Sequence, residues 1–163
     1  MESILVITTG GTIDKIYFDA LSEFQVGEPV APAVLKNMNV ALYIQHQEIC
    51  RKDSLELTDE DRRAIKQAIE QSDITKILIT HGTDTMVKSA QAIGEQIDKT
   101  IVFTGAMQPA AFSNTDAIFN IGTAIGALTA PNIKSGSYIA MSGQVYPANE
   151  VKKNYESKRF EGK

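Results

Sequence analysis

The sequence predicts a three-layer α/β domain built on a doubly wound, mostly parallel sheet. Three observations predict it. Five short segments rich in β-branched or aromatic residues read as strands, most of them are apolar on both faces, and helical repeats fall between them. A strand apolar on both faces must be covered on both sides. Strands that alternate with helices pair in parallel through right-handed crossovers, which supplies that cover.

The elements follow in order. Ile4 to Thr8 is the first strand, an apolar run that ends on Thr8-Thr9-Gly10-Gly11-Thr12, and Val40 to Gln45 is the second. Thr58 stands three residues before Asp61, the signature of a capped helix start, and Ala64, Ile65, Ala68 and Ile69 then share one face. Lys76 to Thr80 is the third strand, followed by a helix with Met86, Ala90, Ile93 and Ile97 in register. Thr100 to Thr104 is the fourth strand. A third helix over Thr115 to Leu128 turns Ile118, Ile121, Gly122, Ile125 and Leu128 inward and stops before Pro131; Ser137 to Met141 is the fifth strand. No internal repeat, low-complexity tract or linker interrupts the pattern, so residues 1–163 read as a single domain of the flavodoxin or Rossmann kind.

Composition narrows the function. The 163 residues are 43% hydrophobic and 22% charged, and no apolar run approaches the roughly 18 residues of a membrane span. The net charge of −4 argues against a general role in binding nucleic acid. Locally, the five Lys and Arg of "VKKNYESKRFEGK", with Tyr155 and Phe160 between them, could bind phosphate, although such terminal clusters are ordinarily just solvated. Met1-Glu2-Ser3 has no basic flank, and a secretory leader is not expected. The single Cys50 fits a reducing compartment, so the cytoplasm is the expected location. His46, His81 and Cys50 have no metal-ligand spacing with the acids, and neither a metal nor another cofactor is expected.

In open α/β sheets ligands bind beyond the carboxyl ends of the strands. Three loops occupy such positions: Thr9 to Thr12, His81-Gly82-Thr83-Asp84-Thr85, and Gly105-Ala106-Met107-Gln108-Pro109. In the first, Gly10-Gly11 permits positive φ and lets backbone approach a ligand, with Thr12 at the rim; the plain alternative is a tight turn with a solvent-facing threonine. It matches neither the dinucleotide nor the phosphate-binding lysine motif. In the second, Thr83 or Asp84 caps the next helix and His81 fills a corner, or Asp84 grips a substrate amino group while Thr83 holds or attacks a carbonyl. A His-Asp-Ser triad through His81 and Asp84 lacks the strained nucleophile turn. A threonine nucleophile needs a base, and Lys15, Lys52, Lys88, Lys152 and Lys153 are the lysine candidates.

Two of these loops, "TTGGTID" and "ITHGTDTM", resemble the two signature motifs of the bacterial-type L-asparaginases. "RKDSLELT" is similar to that family's substrate-carboxylate loop, "TGAMQPA" to the loop after the next strand, and "NEVKKN" to the segment with its active-site lysine. The resemblance implies hydrolysis of asparagine to aspartate and ammonia without metal or cofactor. It implies Thr12 as the acylated nucleophile, and Thr83, Asp84 and Lys153 as a second catalytic group. Asp84 would also hold the α-amino group and Ser54 the α-carboxylate, with Gly11, Asp53, Gly82 and Ala106 completing the substrate-binding surface. Residues 13–28 resemble the mobile lid over that site.

Three departures from the family pattern bear on function. Phe24 replaces the lid tyrosine, which makes Tyr17 the candidate to take its catalytic place. Leu55 stands where the family often has a glutamine. The family's C-terminal domain, which completes a neighbour's site, has no counterpart in residues 1–163, so a naturally short single-domain form is expected, with a more open site and weak asparagine affinity. A homodimer or higher homo-oligomer is expected, with no nucleic-acid or membrane partner. Glutamine or another small amide is the alternative substrate, and an amino-acid-binding sensor with little turnover is the alternative from a different class.

Overall fold

The computed structural model describes residues 1–96 and 98–163. The chain opens with β1 (Ser3–Gly10) and a hairpin of β2 (Lys15–Phe18) and β3 (Glu23–Val26). Helix α1 (Ala31–Asn37), β4 (Tyr43–Lys52), α2 (Asp59–Gln71) and β5 (Lys76–Thr80) follow. Next come α3 (Met86–Ile93), β6 (Thr100–Thr104), α4 (Ala117–Leu128), β7 (Gly136–Met141) and β8 (Gln144–Pro147). A second hairpin, β9 (Val151–Asn154) and β10 (Arg159–Gly162), completes the order.

Six strands form one sheet in the order β4-β1-β5-β6-β7-β8. All neighbours are parallel except β8, which returns antiparallel along β7. Successive side chains of a strand point to opposite faces, so each central strand feeds two cores. Leu5, Ile7, Ile77, Ile79 and Phe103 pack with Ile65, Ile69, Met86 and Ile93 of α2 and α3. Ile4, Val6, Leu78 and Val102 pack on the other side with Leu35 of α1 and Ile121 and Leu128 of α4. The result is the expected three-layer α/β arrangement. Each fully buried Ile or Leu contributes about 1.5–3 kcal/mol, and this is why the central strands read so plainly in the sequence.

The peripheral elements differ from expectation. The second strand begins at Tyr43, not Val40, because Asn39 turns at φ 52° and Val40 and Leu42 pack below the sheet before pairing begins. It then runs to Lys52 as an edge strand whose mostly exposed residues carry no apolar run. α3 ends at Ile93 because Gly94, at φ 70°, caps it; Ile97 lies outside the described residues. α4 begins at Ala117 and buries Ala117, Asn120, Ile121, Ala124 and Leu128. Ile118 and Gly122, expected inward, face outward. This helix is apolar nearly all round, so periodicity does not select its face. The capped start of α2 is as expected: Asp61 N–H donates to Thr58 Oγ1 (3.2 Å) and Thr58 N–H to Asp61 Oδ2 (2.9 Å).

Candidate active site

The strands β4, β1, β5 and β6 are adjacent and parallel, so their carboxyl ends lie along one edge. The loops that leave them are packed backbone to backbone. Gly11 adopts φ +90°, and a Cβ there would lie 2.5 Å from both Cα and N of Gly82. A Cβ on Gly82 would lie 2.6 Å from Cβ of Ser54. Only glycine permits this approach, and it brings the Thr12, Thr83 and Ser54 loops together. Thr85 fixes the third contact, its Oγ1 donating to the Ser54 carbonyl (2.7 Å) and its N–H to Ser54 Oγ (3.3 Å).

β9 delivers Lys153 to the same place. Its Nζ donates to Thr83 Oγ1 at 2.8 Å and to Asp84 Oδ1 at 2.6 Å. Thr83 is buried, and the lysine side chain is only 13% exposed, so this charge-assisted group is poorly screened by water. Tyr155 adds its ring, whose centre lies 4.9 Å from the ammonium. Neither Thr83 nor Asp84 caps α3; that position belongs to Thr85, which makes no side-chain cap bond.

His81 is excluded from proton transfer in this site. It is fully buried, and burial, the largest cause, pushes its imidazole down to about 4, leaving it neutral. Nδ1 lies 2.7 Å from the Gly82 carbonyl and must donate to it, so Nε2 accepts from Ser89 Oγ at 2.7 Å. Arg62, a buried arginine three and seven residues before Ile65 and Ile69 on α2, donates through Nε to the same Ser89 Oγ (2.9 Å). The chain Arg62, Ser89, His81 fixes the carbonyl of Gly82. A triad with Asp84 is not formed.

Thr12 is half-buried and opens a single 3-10 turn, Thr12–Asp14, directly after Gly11. Tyr17 lies on β2 of the hairpin that follows. Its side chain is 52% exposed, pairs across the hairpin with Phe24, and meets the Phe24 ring edge-on at 5.5 Å. Phe24 in turn meets Phe112 at 5.6 Å. Tyr17 is hydrogen-bonded to none of Thr12, Thr83, Asp84 and Lys153. Ala106 is buried in the core, which confines any contact with a ligand to its backbone. Asp53 accepts from Leu55 N–H (3.2 Å) and from Lys15 Nζ (3.0 Å). Burial opposes its ionisation, but these two donors outweigh burial and hold the carboxyl below its usual range. Leu55 itself is 72% exposed.

Two positioning residues escape sequence reasoning. Asp116 sits at the start of α4, and its carboxylate accepts from Met107 N–H, Gln108 N–H and Asn120 Nδ2 at 2.9–3.1 Å, holding the loop after β6. Asp14 holds both feet of the β2–β3 hairpin: its carbonyl accepts from Gly27 N–H (2.8 Å) and its Oδ1 from Val30 N–H (3.0 Å). Its other oxygen, Oδ2, is buried with no partner. An acid in the first turn of a helix, or beside a Gly-rich turn, is the only signal either position gives.

Burial, opposed by the Val30 N–H and with smaller contributions from Glu48 and Arg51, pushes Asp14 up to about 7. The folded chain therefore binds this proton more tightly than the unfolded chain, so the Asp14 contribution to stability falls as pH rises from about 4 to 7, while buried His81, lowered to about 4, contributes a rise over about pH 4 to 6.5. Asp14→Asn keeps the Oδ1 acceptor and removes the titration. Its stability relative to wild type is expected to rise from pH 4 to pH 8, reaching ~2–3 kcal/mol at pH 8, measured by urea unfolding of both proteins across the pH range.

A family model described as asparaginase, N-terminal, matches residues 3–161. The chain belongs to the asparaginase family. This asparaginase-family chain is 26% identical over 170 residues to an L-asparaginase of Bacillus licheniformis, covering 96% of itself and 51% of that protein. It is 25% identical over 174 residues to a glutaminase-asparaginase of Acinetobacter glutaminasificans, covering 93% and 50%. The thermostable L-asparaginase from Thermococcus kodakarensis has the same fold, with a TM-score of 0.82 and 26% identity over 98% of this chain and 51% of that one. The asparaginase-family chain thus spans about half the length of the curated relatives it matches.

Proposed function

We propose that the chain hydrolyses the side-chain amide of L-asparagine, giving L-aspartate and ammonia. The observation that carries this reading is Lys153 bonded at once to Thr83 and Asp84, on a loop packed against that of Thr12. Thr12 Oγ attacks the amide carbon, its proton passes to the leaving nitrogen, and ammonia departs from an aspartyl ester on Thr12. Transfer of a proton from Lys153 to Asp84 along the 2.6 Å contact frees the amine to draw a proton through Thr83. A water so activated then attacks the ester, releases aspartate and restores the Thr12 hydroxyl.

Support for the substrate comes from the site's charges and from the relatives. The carboxylate of Asp84 and the hydroxyl of Ser54 lie on neighbouring loops and are the groups we read as receiving an amino group and a carboxylate of one amino acid, and relatives are named L-asparaginase. The exposed, apolar Leu55 and the relatives named glutaminase-asparaginase favour a second reading, in which glutamine is also accepted. We read residues 1–163 as one α/β unit acting in the cytoplasm. We also read it as a homodimer or higher homo-oligomer; the exposed apolar face of α4, with Ile118 and Phe119 at 47% and 62%, supports self-association. Among the described residues no helix is long and apolar enough to cross a membrane.

Ammonia release from L-asparagine and L-glutamine tests the reading. Wild type is expected to release ammonia, faster from asparagine, and Thr12→Ala to release none. Binding of asparagine without ammonia release would instead identify a sensor.

A further inference from the structure

We propose that Lys15, carried on the β2–β3 hairpin, is the cation that binds the α-carboxylate of the substrate, exchanging Asp53 for it. The inference rests on the amino-acid amide reading above and deepens it. An amino acid brings one positive and one negative group. Asp84 answers the first. For the second, Ser54 offers a neutral hydroxyl already engaged by Thr85 N–H, and the next residue, Leu55, is apolar. A lone hydroxyl leaves the negative charge of a carboxylate uncompensated, and a cation would neutralise it.

Three cations stand near Asp53 and Ser54. Lys153 is committed to Thr83 and Asp84, and Lys52 to Asp61 at 2.7 Å, where α2 begins. Lys15 has Asp53 Oδ2 at 3.0 Å, and the pair is partly shielded, with side chains 27% and 34% exposed. The hairpin register puts Lys15 opposite Val26 and Tyr17 opposite Phe24, so these four share a face. Val26 lies against Gly10 and Phe24 against Phe112, so that face is turned onto the loops of the site. Lys15 thus already holds a carboxylate next to Ser54. A substrate carboxylate has the same charge and shape, and its binding would tie the hairpin to the substrate.

The test compares L-asparagine with 3-aminopropanamide, which is asparagine without its α-carboxylate. Lys15→Met is expected to raise KM for asparagine about ten- to a hundredfold and to lower the preference for asparagine over 3-aminopropanamide by a similar factor, with Lys15→Arg partly restoring both. Asp53→Asn retains the cap on Leu55 and removes the charge that competes for Lys15, so asparagine binding should tighten. A purely structural Lys15–Asp53 tie predicts that Lys15→Met and Asp53→Asn weaken binding alike. That result, or an unchanged preference in Lys15→Met, overturns the proposal while leaving the hydrolase reading intact. Calorimetric Kd values give the same comparison if wild type binds asparagine without turnover, in which case the hydrolase reading alone falls. If wild type binds no asparagine, both fall.

Discussion

Lys153→Met should lower kcat for asparagine hydrolysis by at least about a thousandfold while the chain keeps its fold. Methionine matches the aliphatic stem of lysine and preserves its packing beside Tyr155, but it can neither donate to Thr83 Oγ1 nor exchange a proton with Asp84. A general base supplies about 10²–10⁴ in rate, and here the same group also orients Thr83. The loss should appear in kcat, because Lys153 moves the proton, and KM should change as well, because Lys153 also bonds Asp84, the group read as receiving the substrate's amino group. Circular dichroism and urea unfolding check that the fold survives. A variant that turns over at more than a tenth of the wild-type rate would remove Lys153 from the chemistry.

Gly11→Ala is expected to destabilise the fold by ~3 kcal/mol or more and to abolish activity. The position combines a φ of +90° with backbone atoms of Gly82 2.5 Å from a new Cβ. Neither obstacle is the end of a flexible side chain, so the Thr12 loop must move away from the Thr83 loop. Gly122→Ala on the outer face of α4 is the matched control, because nothing lies within 4 Å of its added methyl. That helical substitution should instead stabilise by roughly 0.5–1 kcal/mol. Thermal unfolding of the two variants beside wild type separates local crowding from a general cost of alanine.

These two positions illustrate what a sequence can carry. β1, β5 and β6 are legible because both faces are buried, which leaves an unbroken apolar run. β4 is legible only in its first residues, Tyr43 to Gln45, and the two hairpins are not, because edge and surface strands pair through backbone and impose little on their side chains. The same limit hides the chemistry. Lys153 meets Thr83 across 70 residues, from a four-residue strand with no apolar signal, and spacing cannot select it among the other lysines. Motif resemblance does select it.

Charged residues are where side-chain type misleads most. Asp14, Asp116 and Arg62 carry charges, yet each turns inward to hold backbone or a buried hydroxyl. Phe24 shows the converse. As a replacement for a proton-relaying tyrosine it reads as a defect, whereas its ring links Tyr17 to Phe112 and docks the hairpin. Tyr17, the expected substitute, meets Phe24 in that same aromatic contact.

The most direct test of the account is the identity of the acylated residue. Wild type and Thr83→Val are mixed with L-asparagine, quenched in acid and digested, and the peptides are weighed by mass spectrometry. An aspartyl group on the peptide containing Thr12, accumulating further in Thr83→Val because hydrolysis of the ester is slowed, is the predicted result. Ammonia release with no adduct on Thr12, or with the adduct on Thr83, would contradict the account.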